Sequence, residues 1–212
     1  APAAAQFTNA IFFGDSLIDA GSFKPVLPPG TGLFTTNPGP IWVTPFGQTF
    51  GFAVTPANQG GTDYAYGGAR VTELPGYPPI PPVAAAVPIA TQISNFLAKG
   101  PADPGAIYAI NGGADDIFTQ LDALQMGAIT QADAQAKVAL AATQLATQIA
   151  KLHVAGAQYI VVWNVPDIGK SPFGLSQGAA GAAQITAISN LFNTTLFAAL
   201  NATGVSTIRF NA

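Results

Sequence analysis

Cysteine is absent from the 212 residues, and histidine occurs once, at His153. The first absence excludes disulfides, thiolate nucleophiles and thiolate metal ligands. Charge is scarce as well: 8% of the residues are Asp, Glu, Lys or Arg, and the net charge is −3. So weak and slightly negative a balance leaves no electrostatic footprint for nucleic acid, and no basic amphipathic stretch marks a membrane surface. Although 49% of the residues are hydrophobic, no run reaches the roughly 18 consecutive apolar residues of a spanning helix. The apolar excess belongs to a core and to Ala-rich helices. The length suits one domain over residues 1–212, with no internal repeat.

What is present is an alternation of strands and helices. Ala10–Phe13 is an apolar run without polar alternation, as a strand covered on both faces requires. It stops at Gly14-Asp15-Ser16, the strand end where open α/β sheets hold ligands. Ser16 there has two readings, an ordinary N-cap or a group beside helix-end N–H donors that receive an anion. Residues 22–40 are rich in Pro, Gly and Thr and form a long loop. Trp42, Phe46 and Phe50 then recur every four residues, a core-facing helical stripe within 42–52. A short strand over Asp63–Tyr66 ends at Gly67-Gly68. Leu74–Pro88 contains six prolines, which predicts an extended, polyproline-like segment without internal hydrogen bonds, either a surface excursion or a pocket wall.

A helix over Ile89–Lys99 and a strand over Ala106–Ile110 follow, the strand ending in Asn111-Gly112-Gly113-Ala114-Asp115-Asp116. That polar turn falls on the same sheet edge as Ser16, and its acidic pair also suits a helix N-terminus. The longest helix spans Thr130–Ala155, with Thr130 and Asp133 near a capping box and Val138, Leu145, Ile149 and Leu152 on one face. His153 lies in its last turn, a favourable place for a cation, but at the wrong end of the next strand to reach Ser16. A strand over Gln158–Trp163, a helix over Ala182–Asn201 and a strand over Val205–Phe210 complete the chain. Five strands alternating with helices imply a parallel sheet covered on both faces.

Gly14-Asp15-Ser16-Leu17 spells the signature of the GDSL/SGNH hydrolases, and the chain resembles that family block by block. Phe12–Gly21 is similar to its first block, Asp63–Gly68 to its second, and Gly113–Asp116 to its third. "YIVVWNVPDIGKSP", ending at Pro172, is similar to its fourth conserved stretch, closest to esterase passenger domains of bacterial outer-membrane autotransporters. The resemblance implies a three-layer α/β/α, flavodoxin-like sheet of five strands in the order 2-1-3-4-5. It implies hydrolysis of carboxylic esters through an acyl-enzyme on Ser16, with no cofactor and no metal. The oxyanion hole would consist of Ser16 N–H, Gly68 N–H (Gly67 in the alternative register) and the third-block residue. That residue is asparagine in the family and Asp115 here. A carboxylate would repel the oxyanion, and Asp115 donates only when protonated, which burial and neighbouring Asp116 favour. Asn111 in a shifted register is the alternative. Asp167 corresponds to a structural turn residue.

The family draws its base from a C-terminal Asp-x-x-His, which these residues do not contain. The expectation is a truncated domain whose catalytic pair comes from a C-terminal fragment, and a precursor that continues into a β-barrel. Ala1–Ala5 resembles the end left by a signal peptidase, which points to an extracytoplasmic protein, secreted or attached at the outer-membrane surface. The apolar 22–40 and 74–88 segments suggest a fatty-acyl or aryl ester as substrate. Two alternatives stay open. Tyr64, Tyr66, Tyr77 and Trp42 could stack on sugars, in a carbohydrate acetylesterase or a binding module, and Asp115 suits a catalytically silent fold.

Overall fold

The computed structural model describes residues 6–34 and 39–211; the signal-peptidase-like opening lies outside them, as does part of the 22–40 loop. Four strands form one parallel sheet: β1 (Ala10–Phe13), β2 (Ile107–Ile110), β3 (Tyr159–Trp163) and β4 (Ile208–Phe210), ordered β1-β2-β3-β4. The helices are α1 (Val43–Thr49), α2 (Ile89–Leu97), α3 (Ala114–Gln125), α4 (Gln131–Val154), α5 (Pro172–Ser176) and α6 (Gly178–Thr203).

Of the five strands expected, the second in chain order, over Asp63–Tyr66, is not formed as one. It contributes isolated bridges at Asp63, to Phe12 and Pro56, on the free side of β1. The place agrees with the expected order, but the strand is cut short by its own aspartate. Asp63 Oδ1 accepts from Ala65 N–H at 3.0 Å, which bends the backbone within two residues. Tyr64 N–H still donates to Phe12 O and Tyr66 N–H to Gly14 O, so the segment stays fastened to β1 up to the glycine pair.

Alternate residues of the strands serve two cores. Ile11, Phe13, Tyr108, Ile110, Ile160 and Val162 face the large one, which takes in buried residues of α2, α3, α4 and α6. Phe12, Ile107, Ala109 and Val161 face the other, with Ile18, Ile41 and Val43 buried there and Trp42, Phe46 and Phe50 packed against it. The handedness of crossovers accounts for the asymmetry. The chain moves one way along the sheet from residue 63 to β4, which sets α2, α4 and α6 on one face. Only the step from β1 back to residue 63 runs the other way, and it places α1 on the opposite face.

Thr130 caps α4 by the expected box: its Oγ1 accepts from Asp133 N–H and its own N–H donates to the Asp133 carboxylate. The aromatic stripe of α1 packs inward as expected, Trp42 against Trp163 at 4.2 Å and Phe46 against Phe12 at 6.2 Å between ring centroids. The Pro-rich segment departs from expectation. It is closed by hydrogen bonds from Gly76, Ile80, Ala84, Ala85 and Ala86 N–H, the last two within a 3-10 turn at Val83–Ala85. Three of its peptide bonds, before Pro75, Pro78 and Pro82, are cis. The non-proline residues between the prolines keep their donors, and these fold the segment back on itself.

Candidate active site

The parallel register sets Phe13 opposite Ile110, so Gly14 and Asn111 leave the sheet side by side. Gly14 is fixed from three directions. Its N–H donates to Gln92 Oε1 at 2.9 Å, and its carbonyl accepts from Gln92 Nε2 and from Tyr66 N–H. A Cβ on Gly14 would overlap Asn111 Oδ1, so only glycine permits this approach. Asp15 then turns the chain: its carbonyl accepts from Ile18 and Asp19 N–H, and its Oδ1 accepts from Leu17 N–H and Asn111 Nδ2, both at 3.0 Å.

Ser16 stands at the crest of this turn, half-buried, and among the described residues neither its hydroxyl nor its N–H makes a hydrogen bond. A serine acting only as an N-cap would have its oxygen engaged. Here both groups remain directed to other use.

The glycine pair separates cleanly. Gly67 N–H donates to Asp19 Oδ2 at 2.8 Å, and Asp19 Oδ1 also accepts from Gly21 and Ser22 N–H. Gly68 N–H makes no hydrogen bond among the described residues, while its carbonyl accepts from Tyr77 N–H. At φ +82° Gly68 adopts a left-handed conformation, and a Cβ there would overlap Val83 and the Tyr77 carbonyl. Of the two registers for a backbone donor, only Gly68 is uncommitted.

Asp115 lies in the first turn of α3, close enough to Asp15 for their charges to interact, buried, with its Oδ2 unpartnered among the described residues. Burial chiefly, then the charges of Asp15 and Asp116, push its carboxyl well above the usual range, with Arg70 opposing. Burial also raises Asp15, whose Oδ2 has no partner among the described residues. Asp116 serves structure. It accepts from Val71 N–H at 2.9 Å and from Arg70 Nε at 3.4 Å, yet burial still lifts it to about 6. Asn111, the alternative in a shifted register, gives one of its two amide N–H bonds to Asp15, and its Oδ1 has no partner among the described residues.

A match to the GDSL-like lipase/acylhydrolase family model spans residues 11–209. The chain belongs to this family. Esterase EstA of Pseudomonas aeruginosa is 30% identical over an alignment covering 100% of this chain and 36% of that protein. A protein of the trpE-trpG intergenic region of Pseudomonas putida is 28% identical, over 99% of the chain and 36% of its own length. Lipase 1 of Photorhabdus luminescens is 27% identical, over 88% and 27% respectively. The chain therefore spans about a third of the length of these relatives.

Within the family frame, the remaining candidates fall away from this edge. His153 Nδ1–H donates to Ala157 O at the end of α4, beside the opposite ends of the strands. Asp167 accepts from Gly169 N–H and Thr186 Oγ1 and pairs with Lys170, a turn residue as expected. The four aromatics suited to sugar stacking do not converge. Tyr64 is buried against Phe13, Trp42 lies on the other face against Trp163, Tyr66 packs on Phe23, and Tyr77 stacks on Phe118. Sequence reasoning missed Gln92 and Asp19, which hold Gly14 and Gly67. Gln92 left one trace: it lies between Ile89 and Ile93 on the buried face of α2, a polar side chain on an apolar stripe.

Proposed function

We propose that the chain forms the nucleophile and oxyanion side of a carboxylic ester hydrolase. Ser16 Oγ attacks the ester carbonyl, and Ser16 N–H and Gly68 N–H receive the oxyanion. Protonated Asp115 donates as the third group, collapse of the adduct breaks the ester C–O bond and expels the alcohol, and water later releases the acyl group from Ser16 as the acid. The reading is carried by one observation: among the described residues Ser16 N–H and Oγ and Gly68 N–H are unspent on the same sheet edge, where Gly14 N–H and Gly67 N–H are both engaged by side chains. Serine needs a base to take its proton. In this reading the base comes from polypeptide beyond the described residues, as the Asp-x-x-His block implied by the family resemblance. We further take the parent to be an extracytoplasmic protein, secreted or held at the outer membrane by a β-barrel. The likeness of residues 159–172 to autotransporter passenger esterases, and relatives about three times as long as the chain, support this.

Treatment of the parent polypeptide, with the segment that supplies the base in place, with a methyl fluorophosphonate, read by mass spectrometry beside Ser16→Ala, tests the nucleophile. The expected result is one adduct per chain, on Ser16, absent from the variant. No adduct, or one that survives Ser16→Ala, would refute the assignment and favour a catalytically silent fold, for which Asp115 in place of asparagine is the argument.

A further inference from the structure

A second concave site lies among the helices that cover the large core. The end of α3, the start of α4, α5 and the start of α6 enclose about 310 Å3, within the size range of small-ligand pockets. Since α4 and α6 return the chain between parallel strands, both begin at the sheet edge where Ser16 stands. Five glutamines line this groove. Gln131 and Gln135 are one turn apart on α4, Gln177 and Gln184 flank Gly181 at the start of α6, and Gln125 ends α3. Gln125, Gln131, Gln135 and Gln184 make no side-chain hydrogen bond among the described residues, and Gln177 gives only one, to Ser176. Gly181 keeps the α6 wall low, since a Cβ there would stand 2.7 Å from Gln177 Cβ. Behind the amides the lining is apolar: Leu121, Ile185 and Ile188, together with the Phe173 ring. The one charge among the lining residues is Asp122, and it interacts with the Tyr77 hydroxyl, whose pKa burial and then this carboxylate push up to about 12.

Neutral amides without a cation among them do not suit a phosphate or a carboxylate ligand. Each amide instead presents a donor and an acceptor in one plane, and two neighbouring hydroxyls of a sugar answer both. The apolar lining suits the C–H face of a sugar ring, which must also leave water. A peptide fits less well. An extended peptide takes its affinity from a free strand edge, whereas the walls here are helices whose backbone groups are already bonded. We propose that this groove binds a neutral saccharide of one or two rings. The site is separate from the Ser16 turn and stands independently of the roles given above to Ser16 and Gly68.

Saturation-transfer NMR of the parent polypeptide with methyl β-glucoside, maltose and cellobiose provides the test. At least one of the three should receive saturation at about 10 mM, most strongly at its ring C–H protons. Gln135 and Gln184 are exposed on their helices, and alanine is the best helix former, so Gln135→Ala and Gln184→Ala keep the fold. Each should weaken binding about two- to tenfold, and the two together at least about tenfold. Gln48→Ala, which removes an exposed amide next to α1 residues on the opposite face of the sheet, should change nothing. Ser16→Ala should bind the sugar as the wild type does. Saturation of none of the three sugars would overturn the proposal. So would binding that survives the paired substitution, or binding lost in Ser16→Ala, which would move the saccharide to the Ser16 turn. Saturation of a capped octapeptide of Ser and Asn in place of the sugars would overturn it as well and assign the groove to polypeptide.

Discussion

Asp115→Asn should leave the reactivity of Ser16 unchanged in acid and raise it in alkali. Asp115 lies in the first turn of α3, buried, with one oxygen unpartnered. Burial, then Asp15, then Asp116, hold its proton well above the usual carboxylate range, and Arg70 alone opposes them. In the proposed mechanism it offers an O–H to the oxyanion while it is protonated. As the pH rises through its folded-state pKa it becomes an anion beside the developing negative charge. Loss of one oxyanion donor costs about a hundred- to thousandfold in rate, or about 2.7–4 kcal/mol, and the conversion to an anion adds repulsion to that loss. Asparagine donates at every pH. The measurement, on the parent polypeptide that carries the base, is the ratio of Ser16 modification rates by methyl fluorophosphonate, Asn variant over wild type, from about pH 5 to about pH 9. Because both proteins share the same Ser16, the titration of the serine and its surroundings cancels in the ratio. The ratio should start near one and climb about a hundredfold or more, while Asp115→Ala stays slow throughout. Asp15→Asn removes a charge that raises Asp115, so the climb should begin at lower pH in that background. A ratio flat across the range, or Asp115→Ala as fast as wild type, would refute the reasoning.

Gln92→Ala strips the buried Gly14 N–H of its acceptor, at a cost of about 1–3 kcal/mol. The urea midpoint should fall and Ser16 modification should slow, and an unchanged midpoint would dismiss Gln92 as the clamp. Gly68→Ala meets left-handed backbone and the Tyr77 carbonyl, whereas Gly67→Ala meets only the Phe34 ring. The first should cost at least about 1 kcal/mol and slow Ser16 modification, the second should keep its N–H on Asp19 and react normally, and equal effects would remove the distinction. Stability should fall as pH rises. Burial lifts Asp63 to about 8 and Asp116 to about 6 from 3.8, so the folded chain binds more protons than the unfolded one between those values and loses stability on passing through them. Asp116 alone accounts for about 3 kcal/mol. Calorimetry should give a higher Tm at about pH 5 than at about pH 8, and the opposite order would contradict the burial of these carboxyls.

The parts of this molecule that were readable in advance are those whose determinants are local. Apolar runs set β1, β2 and β3, and Thr130 with Asp133 set the start of α4, because a strand covered on both faces and a capped helix depend on neighbours a few residues away. Where a side chain competes with that pattern, the reading fails. Asp63 turns its carboxylate onto Ala65 N–H and reduces a strand to a bridge. The donors of Gly76 and Ala84–Ala86 fold a segment whose prolines suggested extension. The site divides along the same line. Ser16, the glycine pair and Asp115 sit at strand ends and show in the sequence. Which glycine keeps a free N–H is decided by Asp19, 48 residues from Gly67, and the turn before Ser16 is held by Gln92, 78 residues from Gly14. No spacing rule spans such separations. A buried amide on the Ile89–Ile93 stripe does, however, announce that some backbone elsewhere needs its two hydrogen bonds, and here that backbone is Gly14, which leads the chain into the turn at Ser16.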